Sequence, residues 1–168
     1  GRQVDDPFEV TIAQVERAIK RMQILGTKLI RIMSYAQSPG ENQNKDERFR
    51  RLREISNRFI AAGITPVHEN CMNYGGMSSH HSLELIENVP GLKLVFDTGN
   101  PVVSQDYSKA AGITQDPVEF YNHIKDHIAY IHIKDARLED GKEQFVYPGE
   151  GSACIPKILQ MLRDDSYD

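Results

Sequence analysis

Cysteine is scarce in this sequence: Cys71 and Cys154 are the two in 168 residues. Neither sits in a CxxC or CxxH arrangement, and small disulfide-stapled domains carry far more. Free thiols and a cytoplasmic location are therefore expected. No apolar run approaches the roughly 20 residues of a membrane span, and the opening Gly1-Arg-Gln-Val-Asp-Asp6 has no apolar signal core. An excess of positive charge is lacking too. The 20 basic residues face 24 acidic ones, for a net charge of −4, which predicts no general attraction to nucleic acid or anionic lipid. No low-complexity segment or linker divides the chain, so residues 1–168 are expected to share one domain.

What is present is an alternation. Amphipathic stretches long enough for helices are followed by short β-branched runs ending in polar residues, the pattern of βα units and a parallel sheet. The first helix reads from about Phe8 to Leu25, opened by Asp6-Pro7 and ended by Gly26. Strand Lys28–Met33, helix Lys45–Ala62 and strand Thr65–Glu69 follow. A Gly-rich loop, Asn73-Tyr-Gly-Gly76, leads to a helix near Ser79–Asn88, then to strand Leu92–Phe96. A helix over Pro117–His127, with Asp116 at its cap, precedes strand Ala129–Lys134. A charged turn at Glu139-Asp-Gly141 and a helix over Ile155–Arg163 complete the series. The count is four strands, where a closed (β/α)8 barrel needs eight.

Three of these strands end alike, in Val67-His-Glu69, Val95-Phe-Asp97 and Tyr130-Ile-His132. In a parallel sheet all carboxyl ends lie at one edge, where sites form. Glu69, Asp97 and His132 are thus expected to converge. Two carboxylates and an imidazole suit one divalent ion such as Mn, Co, Zn or Mg, with positions left open for substrate. Singly, each is also what an ordinary junction of strand and loop carries. Lys134 shares strand parity with His132 and should point the same way; a surface lysine is the alternative.

Taken in order, Thr27-Lys-Leu-Ile-Arg-Ile-Met-Ser34, His68-Glu-Asn70, Phe96-Asp-Thr-Gly-Asn100, His132-Ile-Lys-Asp135 and Pro148-Gly-Glu-Gly151 resemble the xylose isomerase-like sugar phosphate isomerase/epimerase superfamily. The resemblance implies an α/β fold of parallel βα units, part of a (β/α)8 TIM barrel covering about strands four to seven. The earlier strands, and a last strand bearing a fourth ligand Glu, would lie outside residues 1–168. It implies a metal-dependent isomerase or epimerase that acts on a ketose or sugar phosphate through an enediolate. Glu69, Asp97 and His132 would be ligands, and Glu69 also the catalytic acid/base. Asn100 and Lys134 would contact the sugar.

Two rival readings follow. One is a sugar-binding chain without turnover; the other is an apurinic-site endonuclease of the same superfamily, which holds three zinc ions and needs further His ligands, whereas no His follows His132. An open four-strand sheet also leaves two unpaired edges, so self-association or a homo-oligomer is expected. Glu150 in Gly-Glu-Gly is a weaker site candidate. His123 and His127, at i and i+4, read as a solvated helix face, and His80 and His81 as a solvent-facing helix start. The basic run Arg48-Phe-Arg-Arg-Leu-Arg53 reads as the solvated outer side of an amphipathic helix.

Overall fold

The structure, a computed structural model, describes residues 2–38 and 43–167. Gly1 and Asp168, the chain ends considered above, and residues 39–42 lie outside that range. Its elements run α1 (Phe8–Leu25), β1 (Leu29–Ile32), α2 (Lys45–Ala61), β2 (Thr65–Glu69), α3 (Ser79–Asn88), β3 (Lys93–Asp97) and α4 (Asn100–Val103). After these come α5 (Pro117–Ile124), β4 (Ile128–His132), β5 (Asp135–Glu139), β6 (Lys142–Val146) and α6 (Ile155–Asp164). The first four strands pair in sequence order, all parallel. This is the expected α/β architecture, four parallel strands of TIM-barrel type.

Alternation along each strand sorts the side chains between two faces. Ile30, Ile32, Leu94 and Phe96 turn toward the helices. Phe96 stacks on Phe120 at 5.9 Å between ring centroids and packs beside Ile124, Ile158 and Leu162, joining β3 to α5 and α6. Phe49, Leu52, Ile55 and Phe59, at helical spacing on α2, bury beside Ile32, Leu85 and Leu92. Each such side chain contributes about 1.5–3 kcal/mol when fully buried. The alternate positions Arg31, Val67, Glu69, Val95, Asp97 and His132 face the other way. Register keeps them together: Arg31 pairs with Val67, Glu69 with Val95, and Asp97 with His132.

Several local expectations need correction. The strand count is six among the described residues, because β5 and β6 form an antiparallel hairpin where only a charged turn was read. Asp140 and Gly141 both have positive φ (51° and 73°), as a tight two-residue hairpin requires. Asp6 does not cap α1; its carboxylate accepts from the Gln3 N–H at 2.9 Å, and Pro7 holds the cap position without a side-chain bond. Asp116 does cap α5, accepting from the N–H groups of Val118 and Glu119 at 2.8 Å each. Strand β4 stops at His132, short of Lys134, because the Thr98 hydroxyl takes over both backbone groups of Lys134.

The basic run on α2 is not uniformly solvated. Arg48 is fully buried and donates to the carbonyls of Ser34, Ala36 and Gln43, capping the end of the segment after β1. Arg51 is 8 % exposed and donates to Asp6 O and Glu47. The physical reason is a group of backbone carbonyls within reach, since a guanidinium can donate to several at once in a fixed fork. His81 is half-buried, with its Nδ1 2.7 Å from the Ser78 hydroxyl, and His123 Nδ1 lies 2.7 Å from the Ser79 hydroxyl. His80 is exposed.

Candidate metal centre

The carboxyl ends of β2, β3 and β4 bring Glu69, Asp97 and His132 together. One potential ligand atom from each lies within 4.8 Å of the other two. His132 turns its Nδ1 toward both acids, 3.3 Å from Glu69 Oε1 and 3.9 Å from Asp97 Oδ2. Donors about 2.1 Å from a common ion stand about 3 Å apart at right angles and farther at wider angles. The spacing and the oxygen–nitrogen donor set therefore fit a divalent cation such as Mg, Mn, Co or Zn. Both carboxylates are buried, at 5 % and 4 % exposure, and buried charges need compensation.

Asp97 finds part of that compensation in the backbone. Its Oδ1 accepts from the N–H groups of Gly99 and Asn100, each at 2.9 Å, where the chain turns into α4. The Lys134 ammonium stands 4.0 Å from Oδ2. Burial pushes the Asp97 carboxyl above its usual range all the same, against the pull of these donors. Burial acts the same way on Glu69, but there Arg31 and His132 outweigh it and hold the carboxyl below the ordinary value.

Two side chains fix the strand tops. Asn70, directly after Glu69, accepts from Asp97 N at 2.7 Å and donates to Asp97 O at 3.0 Å. Its amide thus extends the β2–β3 pairing beyond the last backbone rung. Thr98 N donates to His132 O at 3.1 Å, and the Thr98 hydroxyl bonds both backbone groups of Lys134. Beneath this layer the Asn73 side-chain oxygen accepts from Gly75 N at 3.0 Å and lies 2.8 Å from His68 Nε2. Burial drives His68 down to about 4, so the ring is neutral at neutral pH. Gly76 packs so closely on Cys71 that an added Cβ would fall 1.7 Å from its carbonyl oxygen.

Of the residues named from sequence, Asn100 and Lys134 also lie here. Lys134 Nζ donates to Asn100 Oδ1 at 3.0 Å and sits 4.4 Å from the Phe145 ring centroid on β6. Asn100 contributes its backbone N–H to Asp97 and its amide oxygen to Lys134. Glu150 is exposed in a loop that is tied elsewhere: Asp135, 1 % exposed, accepts from the N–H groups of Gly149, Gly151, Ala153 and Ala136. Cys71 and Cys154 are free. A cavity of about 350 Å3 opens beside β1, lined by Thr11, Met33, Tyr35, Phe59 and Arg31 among others. Of these residues Arg31 alone reaches the triad, so ligand geometry rather than cavity size marks the site.

Arg31 was missed from sequence. Its guanidinium pairs with Glu69 Oε2, and its side chain is 55 % exposed against 6 % for Glu69. The available signal was a lone charge in the middle of Leu29-Ile-Arg-Ile32, with the parity that points into the site. Asn70 and Thr98 were missed as well, since nothing in their spacing distinguishes a side chain that ties strand ends from a loop residue.

Comparison with solved structures supports the same fold. A D-tagatose 3-epimerase-like protein superposes with a TM-score of 0.75 at 20% identity, over 98% of this chain and 63% of its own. The probable 3-DHS dehydratase AsbF of Bacillus anthracis gives 0.75 at 22% identity, over 98% and 64%. A xylose isomerase-like TIM barrel protein of Mycobacterium smegmatis, in complex with magnesium, gives 0.70 at 17% identity, over 95% and 58%. The chain thus spans a little under two thirds of the length of these structures. No curated protein matches it. No helix among the described residues is long and apolar enough to cross a membrane. The sequence profile of one family aligns with residues 4–168, all but the first three positions, and on that match the chain belongs to the xylose isomerase-like TIM barrel family.

Proposed function

We propose that this chain carries metal-binding residues of an isomerase or epimerase that moves a proton beside the carbonyl of a ketose or ketose phosphate, through an enediolate. The observation that supports the reading best is the convergence of Glu69, Asp97 and His132 from three successive strand ends onto one point. Glu69, Asp97 and His132 would hold one divalent cation, Mn, Co, Zn or Mg. When bound, the cation supplies a Lewis acid that polarises the carbonyl and steadies the charge that develops on its oxygen.

The remaining work falls to the side chains. Glu69, whose carboxyl is held below its ordinary value, would be one of two carboxylates, one on each face of the substrate, that move the proton: to the neighbouring carbon in an isomerase, or back to the same carbon from the opposite face in an epimerase. Asp97 is locked by two backbone N–H bonds, so it orients rather than moves. Lys134, braced by Asn100 and lying over Phe145, offers a fixed positive charge to a substrate oxygen or phosphate. Membership of the family and the likeness to an epimerase-like structure agree with this chemistry.

The test is metal content by elemental analysis of the purified chain beside Glu69→Ala, followed by a panel of ketoses and ketose phosphates. About one equivalent of divalent metal, lost in the variant, is the expected result. Full metal content in Glu69→Ala would refute the assignment.

A further inference from the structure

Arg31 touches the site through Glu69, and the proposed chemistry gives it no contact of its own with cation or substrate. It belongs to β1, which lends no ligand, yet its pairing with Val67 puts it on the site face one step below Glu69. Its guanidinium holds Glu69 Oε2 while His132 Nδ1 approaches Oε1 at 3.3 Å. Both oxygens of the carboxylate are therefore engaged by side chains of the protein. The local charges balance: Glu69 and Asp97 carry two negative charges, Arg31 and Lys134 two positive.

A divalent cation among these ligands would leave the cluster with a net charge of +2, in a place where the carboxylates are buried and poorly screened. The repulsion is relieved if one of the two basic side chains withdraws. Lys134 is fixed by Asn100 Oδ1 at 3.0 Å and by the Phe145 ring. Arg31 is more than half exposed and has Glu69 as its side-chain partner, so its long stem can swing into water at small cost.

We propose that Arg31 is a resident counter-ion of Glu69 which the metal displaces, so that loading the site and freeing this guanidinium are one event. The inference rests on reading the triad as a metal centre. The freed fork remains tethered to β1 beside the site, with planar donors suited to a carboxylate or phosphate oxygen. Substrate capture by Arg31 and metal occupancy then favour each other, because both draw on the released form.

The experiment titrates Mn2+ into the whole chain and reads free Mn2+ by electron paramagnetic resonance, for wild type, Arg31→Gln, Arg31→Lys and Glu69→Gln. Arg31→Gln is expected to bind Mn2+ about five- to tenfold more tightly than wild type, with Arg31→Lys between them. Equal or weaker binding in Arg31→Gln overturns the displacement. A second readout needs no variant: the Arg31 Nε–H resonance should move toward that of a free surface arginine as Mg2+ saturates the wild-type chain, and a resonance that stays in place also overturns it. If neither wild type nor Arg31→Gln takes up metal, or if uptake survives Glu69→Gln, the metal centre itself fails and this inference falls with it. Metal bound through Glu69 without a change in Arg31 sinks the inference alone.

Discussion

Replacing Asp135 by Asn tests how a single buried carboxylate fixes the loop that follows the hairpin. Oδ1 accepts from the N–H groups of Ala136 and Ala153, both at 2.9 Å; Oδ2 accepts from Gly149 at 2.8 Å and Gly151 at 3.0 Å. An asparagine can serve one of these pairs with its carbonyl oxygen. Its NH2 group then faces the other two N–H donors, and a buried donor left unsatisfied costs about 1–3 kcal/mol. Allowing for partial relaxation, the loss at neutral pH is about 2–4 kcal/mol, a large share of the roughly 5–15 kcal/mol that holds a domain folded. The loop backbone comes so close to this carboxylate that a Cβ on Gly151 would lie 2.3 Å from Oδ1.

The pH dependence has a definite sign. Burial raises the Asp135 pKa, but the four N–H groups outweigh it and hold the value below the ordinary one. A depressed carboxyl pKa stabilises the fold above the unfolded value of about 4, and that stabilisation is lost as pH falls through the folded value. Wild type should thus exceed Asp135→Asn throughout the neutral range, and the gap should close below about pH 4. Urea unfolding followed by circular dichroism at several pH values measures both features. Amide exchange at Gly149, Gly151 and Ala153 reports the loop directly and should accelerate in the variant. A difference under about 0.5 kcal/mol at pH 7, within the range of an ordinary surface change, would refute the reasoning, as would a gap that does not change with pH.

Three further outcomes follow from the packing. Gly76→Ala forces a Cβ against the Cys71 carbonyl and should lower stability by about 2–4 kcal/mol; a thermal melt unchanged from wild type would contradict this. Arg48→Met removes the buried guanidinium that the carbonyls of Ser34 and Ala36 accept from and should cost about 3 kcal/mol in chemical unfolding, whereas the exposed Arg50→Met should cost under about 1 kcal/mol. The sheet has β1 at one edge and β4 at the other, with Leu29, Met33, Tyr130 and Ile133 exposed near them. The chain should therefore self-associate, and light scattering that returns the 19.1 kDa of one copy at micromolar concentration would overturn that expectation.

Strand and helix positions were legible wherever burial imposes a period. α2 shows this well, since Phe49, Leu52, Ile55 and Phe59 are buried at helical spacing, and so does β3, a run buried on both faces. The hairpin escaped because its strands are largely exposed and short, with an alternation of two apolar residues, Ala136 and Leu138, in β5 and none in β6; the Asp140-Gly141 pair was the turn signal. The three candidate ligands were legible because parallel strands deliver their carboxyl ends to one edge whatever the loops do. Arg48 misled because charge suggests solvent, whereas buried backbone carbonyls, those of Ser34 and Ala36 among them, draw a guanidinium inward. Arg31 went unseen because a strand pattern does not state which neighbouring strand a long side chain will reach.

The side-chain ties at the strand tops bear on how such a site can change over time. Asn70 clasps the backbone of Asp97, and Thr98 clasps that of Lys134. The ligand spacing is thus set below the level at which the loops depart. An insertion or deletion beyond residue 71 or beyond residue 100 can lengthen, shorten or re-aim a loop while Glu69, Asp97 and His132 keep their separation. On the proposed reading, the loops that would choose a substrate can therefore drift while the separation of the candidate ligands holds, with the two clasps as the boundary between the part that can vary and the part that cannot.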